Sequence, residues 1–400
     1  MKNSCLKFCL LACTSLFCIA CSNTEKLSGN EFLIEGNVSG IEDGTIIRLF
    51  RYSGNVGMSF ALDTIKNGRF TIKAEAEGNP ERLTISPRGD GFPSMSLGVW
   101  VAPGASIKIN GKGKLHPAWE VKSSIPYQKE ENRYTNKNRS VIAEIARISV
   151  ETSELRTMAR AALNDEAVAY RKKADSLDLI SDSLSQKMYF NDIAIMEKAD
   201  ISPFWLDKMH SIAMNLKFTD IDAEHKGELR KKAEELYSRM SEEGKNTLVG
   251  HEITAYLFPP NVVEIGDDMA DGDFFDLNGN MKHLSDYLGK YLLLDFWSRG
   301  CGPCIMALPE MKEISETNGN KLTIVSISLD TDDTWKEAMN THDTPWINVR
   351  DPKGFGGLAA NYGVAGIPNY IIISPEGKII DKWMGYGEGS LKRRISRHIQ

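Results

Sequence analysis

The residues best placed to do chemistry are Cys301-Gly302-Pro303-Cys304. An apolar run, Tyr291 to Trp297, leads into them, and a helical pattern from Ile305 to Glu316 follows. A cysteine at such a strand-to-helix seam has its sulfur at the helix N-terminus, where unpaired backbone N–H groups and the macrodipole favour an anion. Thiolate is the reactive form, so this position lowers the thiol pKa and arms Cys301 as a nucleophile. Cys304, one turn further in, is shielded and set to attack a mixed disulfide once Cys301 has formed one. Pro303 suits the first turn because it gives up an N–H that has no helical partner there. Half a zinc site is the competing reading, but every other cysteine lies within the first 21 residues, in the expected leader or directly after it. The seven histidines (116, 210, 225, 251, 283, 342, 398) lack metal-ligand spacing. Redox chemistry with no metal and no cofactor is expected.

The rest of the chain must place that pair. It has 400 residues, too many for one ordinary core, and length implies two or three domains. Its 42% hydrophobic and 26% charged residues are those of a globular protein, neither a fibre nor a polytopic membrane protein. A formal charge of -6 argues against nucleic acid as a partner. The other five of the seven cysteines (Cys5, Cys9, Cys13, Cys18, Cys21) fall in the first 21 residues. A disulfide-stapled secreted scaffold spreads its cysteines instead.

Residues 1–20 carry Lys2 and Lys7, no acid, and an apolar run from Phe8 to Ala20, the build of a secretory signal peptide too short to span a bilayer. Cys18-Ile19-Ala20-Cys21 resembles the bacterial lipobox, which implies lipidation at Cys21. Four cysteines then leave with the leader and a fifth is consumed by lipid. Residues 21–30 read as a tether.

Three patterns follow. Over 31–125, short alternating runs broken by Gly and Asn turns predict an antiparallel β-sandwich, with Asn67-Gly68 as its strongest hairpin signal. Tyr52, Phe60, Phe92 and Trp100 there are core or loop aromatics, or else a ligand face. Over 126–250 the period is helical. Val141, Ile145, Ile148, Thr152, Leu155, Ala159 and Ala162 make one apolar stripe, Trp205, Met209, Ile212 and Leu216 another, and Leu229, Ala233, Leu236 and Met240 a third. Such stripes need partner helices, inside the chain or across a homodimer seam. Met158, Met188, Met196, Met209, Met214 and Met240 read as core filler. Over 262–400 strands alternate with helices: strands at Tyr291–Trp297 and Lys321–Leu329, helices at Ile305–Glu316 and Thr334–Asn340, a hairpin over Asn369–Ile380 and a last helix over Leu391–Ile399. That order predicts parallel crossovers with an antiparallel edge, hence a multi-domain α/β chain.

The run DFWSRGCGPCIMALPEM, with GDFFDLNGNMKHLSDYLGKYLLLDFW upstream, is similar to the active-site region of the thioredoxin superfamily, and to its TlpA and ResA-like thiol-disulfide oxidoreductases. The preceding β domain resembles one found in lipoprotein relatives of that family. The likeness implies a thioredoxin fold over 262–400. It makes Asp295 the buried acid that exchanges a proton with the second cysteine, Pro309 the proline inside the active-site helix, and Pro368 the cis-proline facing the cysteines. Trp297, Gly300, Gly302, Pro303 and Ile367 then line the substrate approach. Desolvation in an apolar strand raises the pKa of a carboxyl such as Asp295. One departure stands out: relatives carry Trp before the first cysteine, and here Gly300 follows Arg299, which either stabilises the thiolate or is simply solvated.

The resemblance implies an enzyme that reduces protein disulfides outside the cytoplasm, periplasm-facing and lipid-anchored in the outer membrane. Electrons would come from a membrane thiol carrier, with cytochrome maturation or repair of misoxidised proteins as the setting. The alternatives are a peroxiredoxin-like peroxidase, although LDFWSRG lacks the Pro-x-x-x-Thr-x-x-Cys loop, and an envelope lipoprotein that binds or senses a ligand and uses the C-terminal part for docking.

Overall fold

A computed structural model describes residues 27–399 apart from 54–55, 220–222 and 343. The expected leader, Cys21 and most of the tether lie outside the described residues.

Eight strands come first: β1 (Glu31–Ser39), β2 (Ile46–Ser53), β3 (Val56–Thr64), β4 (Arg69–Glu75), β5 (Glu81–Arg88), β6 (Leu97–Val101), β7 (Ser106–Lys112) and β8 (Glu120–Lys122). They form two four-stranded sheets, β4-β1-β7-β8 and β3-β2-β5-β6. Alternate residues point inward, Phe32, Ile34, Ile107 and Ile109 from one sheet and Ile47, Leu49, Leu83 and Ile85 from the other. The sandwich is not wholly antiparallel, because β1 and β7 run parallel with Ile34 beside Ile107. Period-2 alternation is the same in both orientations, so sequence pattern alone does not distinguish them.

Asn67 and Gly68 both take positive φ, 52° and 71°, and close a turn between Lys66 and Arg69. A Cβ on Gly68 would lie 2.6 Å from the Val38 carbonyl oxygen, which excludes any other residue there. Lys66 and Arg69 exchange both backbone hydrogen bonds, at 2.9 and 3.0 Å, as in a two-residue hairpin, but the strands part beyond them. β3 pairs with β2 and β4 with β1, so the turn carries the chain from one sheet to the other.

Six helices follow: α1 (Pro126–Ala161), α2 (Asn164–Met196), α3 (Pro203–Phe218), α4 (Ala223–Tyr237), α5 (Glu242–Lys245) and α6 (Leu248–Leu257). Helix α1 lies against α2 as a hairpin about 50 Å long, and its stripe from Val141 to Ala159 is buried. The stripes of α3 and α4 merge with the sandwich side chains into one continuous core that includes Tyr134 and Ile253. The three stripes thus find partners within the chain. Met196, Met209 and Met240 are core residues, whereas Met158 and Met214 are 49% and 43% exposed and fill nothing. Trp100 is buried, its indole N–H donating to Glu131 at 2.8 Å, and Phe60 packs against the same core beneath Arg51. The side chain of Tyr52 lies outside the described residues.

The last part contains β9 (Phe274–Phe275), β10 (Met281–Lys282), β11 (Tyr291–Trp297), α7 (Gly302–Asn318), β12 (Leu322–Ser328), α8 (Asp332–Met339), β13 (Ile347–Arg350), α9 (Leu358–Asn361), β14 (Asn369–Ile373), β15 (Ile379–Met384) and α10 (Ser390–Ile395). Its seven-stranded sheet has the order β10-β9-β13-β12-β11-β14-β15. β11, β12 and β13 are parallel, and β14 and β15 add the antiparallel edge. Central β11 is buried on both faces. Leu292, Leu294 and Phe296 enter one core, while Leu293 meets Ala307, Met311 and Ile314 of α7 on the other. Helix α6 docks this part onto the helical region. A Cβ on Gly356 would come within 2.4 Å of the His251 backbone, so only glycine permits that approach. Among the described residues no helix is long and apolar enough to cross a membrane.

Candidate active site

Cys301 caps the N-terminus of α7. Its backbone is extended, and its sulfur accepts the Cys304 N–H at 3.2 Å. Cys301 and Cys304 are joined as a disulfide, with Cα atoms 5.2 Å apart. Pro303 occupies the first turn, and a Cβ on Gly302 would meet nothing within 4 Å, so the pair is approached over open space at that residue. Pro309 lies inside α7 and, having no N–H, leaves the Ile305 carbonyl without its helical donor.

The two cysteines pack with Trp297, Trp335 and Ala338, with Ile305, Met339 and Ile367 closing around them. Trp297 ends β11 and Trp335 comes from α8. Both indole N–H groups are buried without a hydrogen-bond partner. The Ile367–Pro368 peptide is cis, and the Pro368 carbonyl accepts the Gly385 N–H at 2.8 Å. Ile367 packs against the cluster that holds the cysteines, and β14 begins two residues further on.

Asp295 lies on β11 between Leu293 and Trp297, on the face that meets α7 and the cysteines. It is 3% exposed. The Ser326 hydroxyl donates to its Oδ2 at 2.7 Å, and the Trp346 indole N–H donates to Ser326 at 2.8 Å. Oδ1 has no partner. Burial pushes the carboxyl up from 3.8 to about 7, against the opposing pull of the Ser326 hydrogen bond. Tyr370, its cross-strand neighbour on β14, is raised by burial first and by Asp295 second. A carboxyl titrating near neutrality under the active-site helix is chemically suited to taking or giving a proton.

Arg299 is not a free cation beside the sulfur but part of a surface ion pair, with its side chain part-exposed. Its guanidinium pairs with Glu337 of α8, and its backbone N–H donates to Asp330 at 2.7 Å. Asp330 is itself raised, chiefly by burial. Gly300 lies in the same loop. Cys21 lies outside the described residues.

Sequence reasoning did not single out Trp335, Ser326, Asp330 or Glu310. Glu310 is 8% exposed, and its carboxylate accepts the Gly389 and Lys392 N–H groups, both at 2.9 Å, tying α7 to α10. The available signal for Trp335 was an apolar spacing with Ala338 and Met339 in a short helix; a lone Glu on a helix offered none.

A model of the thioredoxin-like family matches residues 289–379. Thioredoxin-like protein YneN of Bacillus subtilis is 27% identical over 127 residues, 31% of this chain and 73% of that protein. Thiol-disulfide oxidoreductase ResA of Bacillus thuringiensis subsp. konkukian is 31% identical over 133 residues, 32% of this chain and 75% of that protein. Among solved structures, the thioredoxin domain of a thiol-disulfide oxidoreductase from Bacteroides vulgatus is 28% identical, with 34% of this chain and 99% of that one covered and a TM-score of 0.32.

Proposed function

The chain belongs to the thioredoxin-like thiol-disulfide oxidoreductases, and from that premise we propose that it reduces protein disulfides outside the cytoplasm through Cys301 and Cys304. The observation that carries this reading is the pairing of these cysteines at the N-terminus of α7, with the Cys301 sulfur already accepting a backbone N–H.

In the reduced enzyme, the Cys301 thiolate attacks one sulfur of a substrate disulfide and expels the other as a thiolate. Asp295 accepts the proton of Cys304. The Cys304 thiolate then attacks Cys301 and releases the second substrate sulfur. Two electrons have moved from the dithiol to the substrate, leaving the Cys301–Cys304 disulfide. Cis-Pro368 keeps a backbone N–H away from the sulfurs, and Ile367 offers its backbone to the substrate chain. A second turnover requires reductant, for which a membrane thiol carrier is the fitting donor. Lipid at Cys21 would hold the enzyme at the envelope, facing the periplasm, with misoxidised proteins or cytochrome maturation as the demand. The unit formed by 31–257, with its shared sandwich and helix core, serves as the support on which the 262–400 domain is mounted.

The test is mixed-disulfide trapping in the full chain. Cys304→Ser should accumulate enzyme-linked substrate through Cys301, and Cys301→Ser should trap nothing and reduce nothing. Turnover by the double serine variant would overturn the reading. Loss of membrane association in Cys21→Ser tests the anchor separately.

A further inference from the structure

A groove of about 480 Å³ runs from the end of β15 to the last helix, lined by Trp383, Met384, Tyr386, Arg393, Arg394 and Arg397 among others. It borders the cis-proline loop. The Gly385 N–H that borders it is the one bonded to the Pro368 carbonyl, and Met384 pairs with Asn369 across the β14–β15 ladder. A Cβ on Gly366 would lie 3.0 Å from the Met384 sulfur, so the groove wall touches the cis-proline loop itself.

Its charges are unevenly spent. Arg394 lies 4.9 Å from the centre of the Trp383 ring and is held by Asp381 at 3.0 Å. The neighbouring acids are largely committed. Asp381 also takes His398, the Glu310 carboxylate takes backbone N–H groups, and Glu313 takes Lys392. Glu388 stands exposed nearby. Arg393 and Arg397 are exposed and make no ion pair among the described residues. In a chain of formal charge -6, two unpaired guanidiniums lining a groove that borders the cis-proline loop form a local site for negative charge on an extended polypeptide.

We propose that this groove is a substrate subsite that selects disulfide-bearing polypeptides with Asp or Glu flanking the reactive cysteine. It rests on the reading of the enzyme as a reductase of protein disulfides. A chain crossing Pro368 to reach Cys301 continues past Gly385 into the groove. There Met384 and Trp383 receive its apolar side chains, and Arg393 and Arg397 its carboxylates.

The experiment compares two disulfide-linked peptides, identical except that one has Asp and Glu where the other has Asn and Gln, reduced by the full chain kept in its dithiol form. The acidic peptide should react with a KM lower by about fivefold, the size expected for two exposed charge pairs. The difference should vanish near about 0.5 M salt, where such charges are screened, and in Arg393→Gln/Arg397→Gln. That variant should reduce the neutral peptide as well as the parent does, which also shows that it folds. Equal KM values in the parent, or an acidic preference retained by the variant, would overturn the subsite while leaving the reductase intact. If the parent reduced neither peptide, the reductase reading would fall and the subsite with it.

Discussion

Ser326 donates its hydroxyl to Asp295 across the β11–β12 ladder at 2.7 Å and leaves the other carboxylate oxygen unpartnered in a buried site. One hydrogen bond does not replace the hydration that the charged carboxylate has lost, so the protonated form persists up to about pH 7. This sets the sign of a stability effect. Below about pH 4 the group is protonated in folded and unfolded chains alike. As pH rises from about 4 to 7, only the unfolded chain ionises, and folding loses stability. Above about 7 the loss is complete. Asp295→Asn should therefore match the parent at pH 3.5 and exceed it by about 4 kcal/mol at pH 8 in urea unfolding of the oxidised protein. The same variant should slow resolution of the mixed disulfide by about 100-fold or more, since it removes the base. A variant less stable than the parent at pH 8 would show that Asp295 is ionised and paired in the fold.

Glu310 holds the start of α10 through two backbone N–H groups. Glu310→Ala leaves both donors unpaired in a largely buried place and should destabilise by about 2–3 kcal/mol, while Glu310→Gln, which keeps an acceptor, should cost about half as much. Thermal unfolding of the two variants checks the ratio. Equal losses would mean that packing, not the carboxylate, is what the site requires.

Trp335 is fully buried against the cysteines, with Trp297 on the same cluster. A disulfide quenches an adjoining indole, so reduction should raise the tryptophan emission, and Trp335→Phe should lose much of that rise. Trp335→Ala empties the space beneath the active-site loop and should cost about 3–5 kcal/mol by chemical denaturation. A redox-linked emission change unaltered in Trp335→Phe would assign it to another tryptophan.

Arg299 is engaged by Glu337, so its charge contributes little at Cys301. Arg299→Ala should move the Cys301 thiol pKa by less than about 0.3, read from the pH dependence of alkylation of the reduced protein. Glu337→Gln releases the guanidinium and should lower that pKa. A rise of about one unit in Arg299→Ala would show the cation acting on the thiolate directly.

The parts of this architecture that were legible in the sequence are those where one local pattern leaves one solution. β11 reads directly from a seven-residue run in which only Asp295 is not apolar, and α7 from the change of period at Cys301. What escaped depends on distant partners. The parallel pairing of β1 with β7 leaves no trace in an alternation that suits either direction. Four-residue β13, with only Val349 buried, is too short to show a period. Glu310 reads as a solvent-facing helix residue because its two donors lie 79 and 82 positions further on. Trp335 reads as one apolar position in an eight-residue helix, and only the tertiary fold brings it to the sulfurs.

The most direct measurement is the equilibrium redox potential of Cys301–Cys304 at pH 7, titrated against a dithiol buffer with alkylation as the readout. A protein-disulfide reductase should lie at or below about -250 mV, in the range of reducing thioredoxins. A value near about -120 mV, that of a strong dithiol oxidant, would contradict the account.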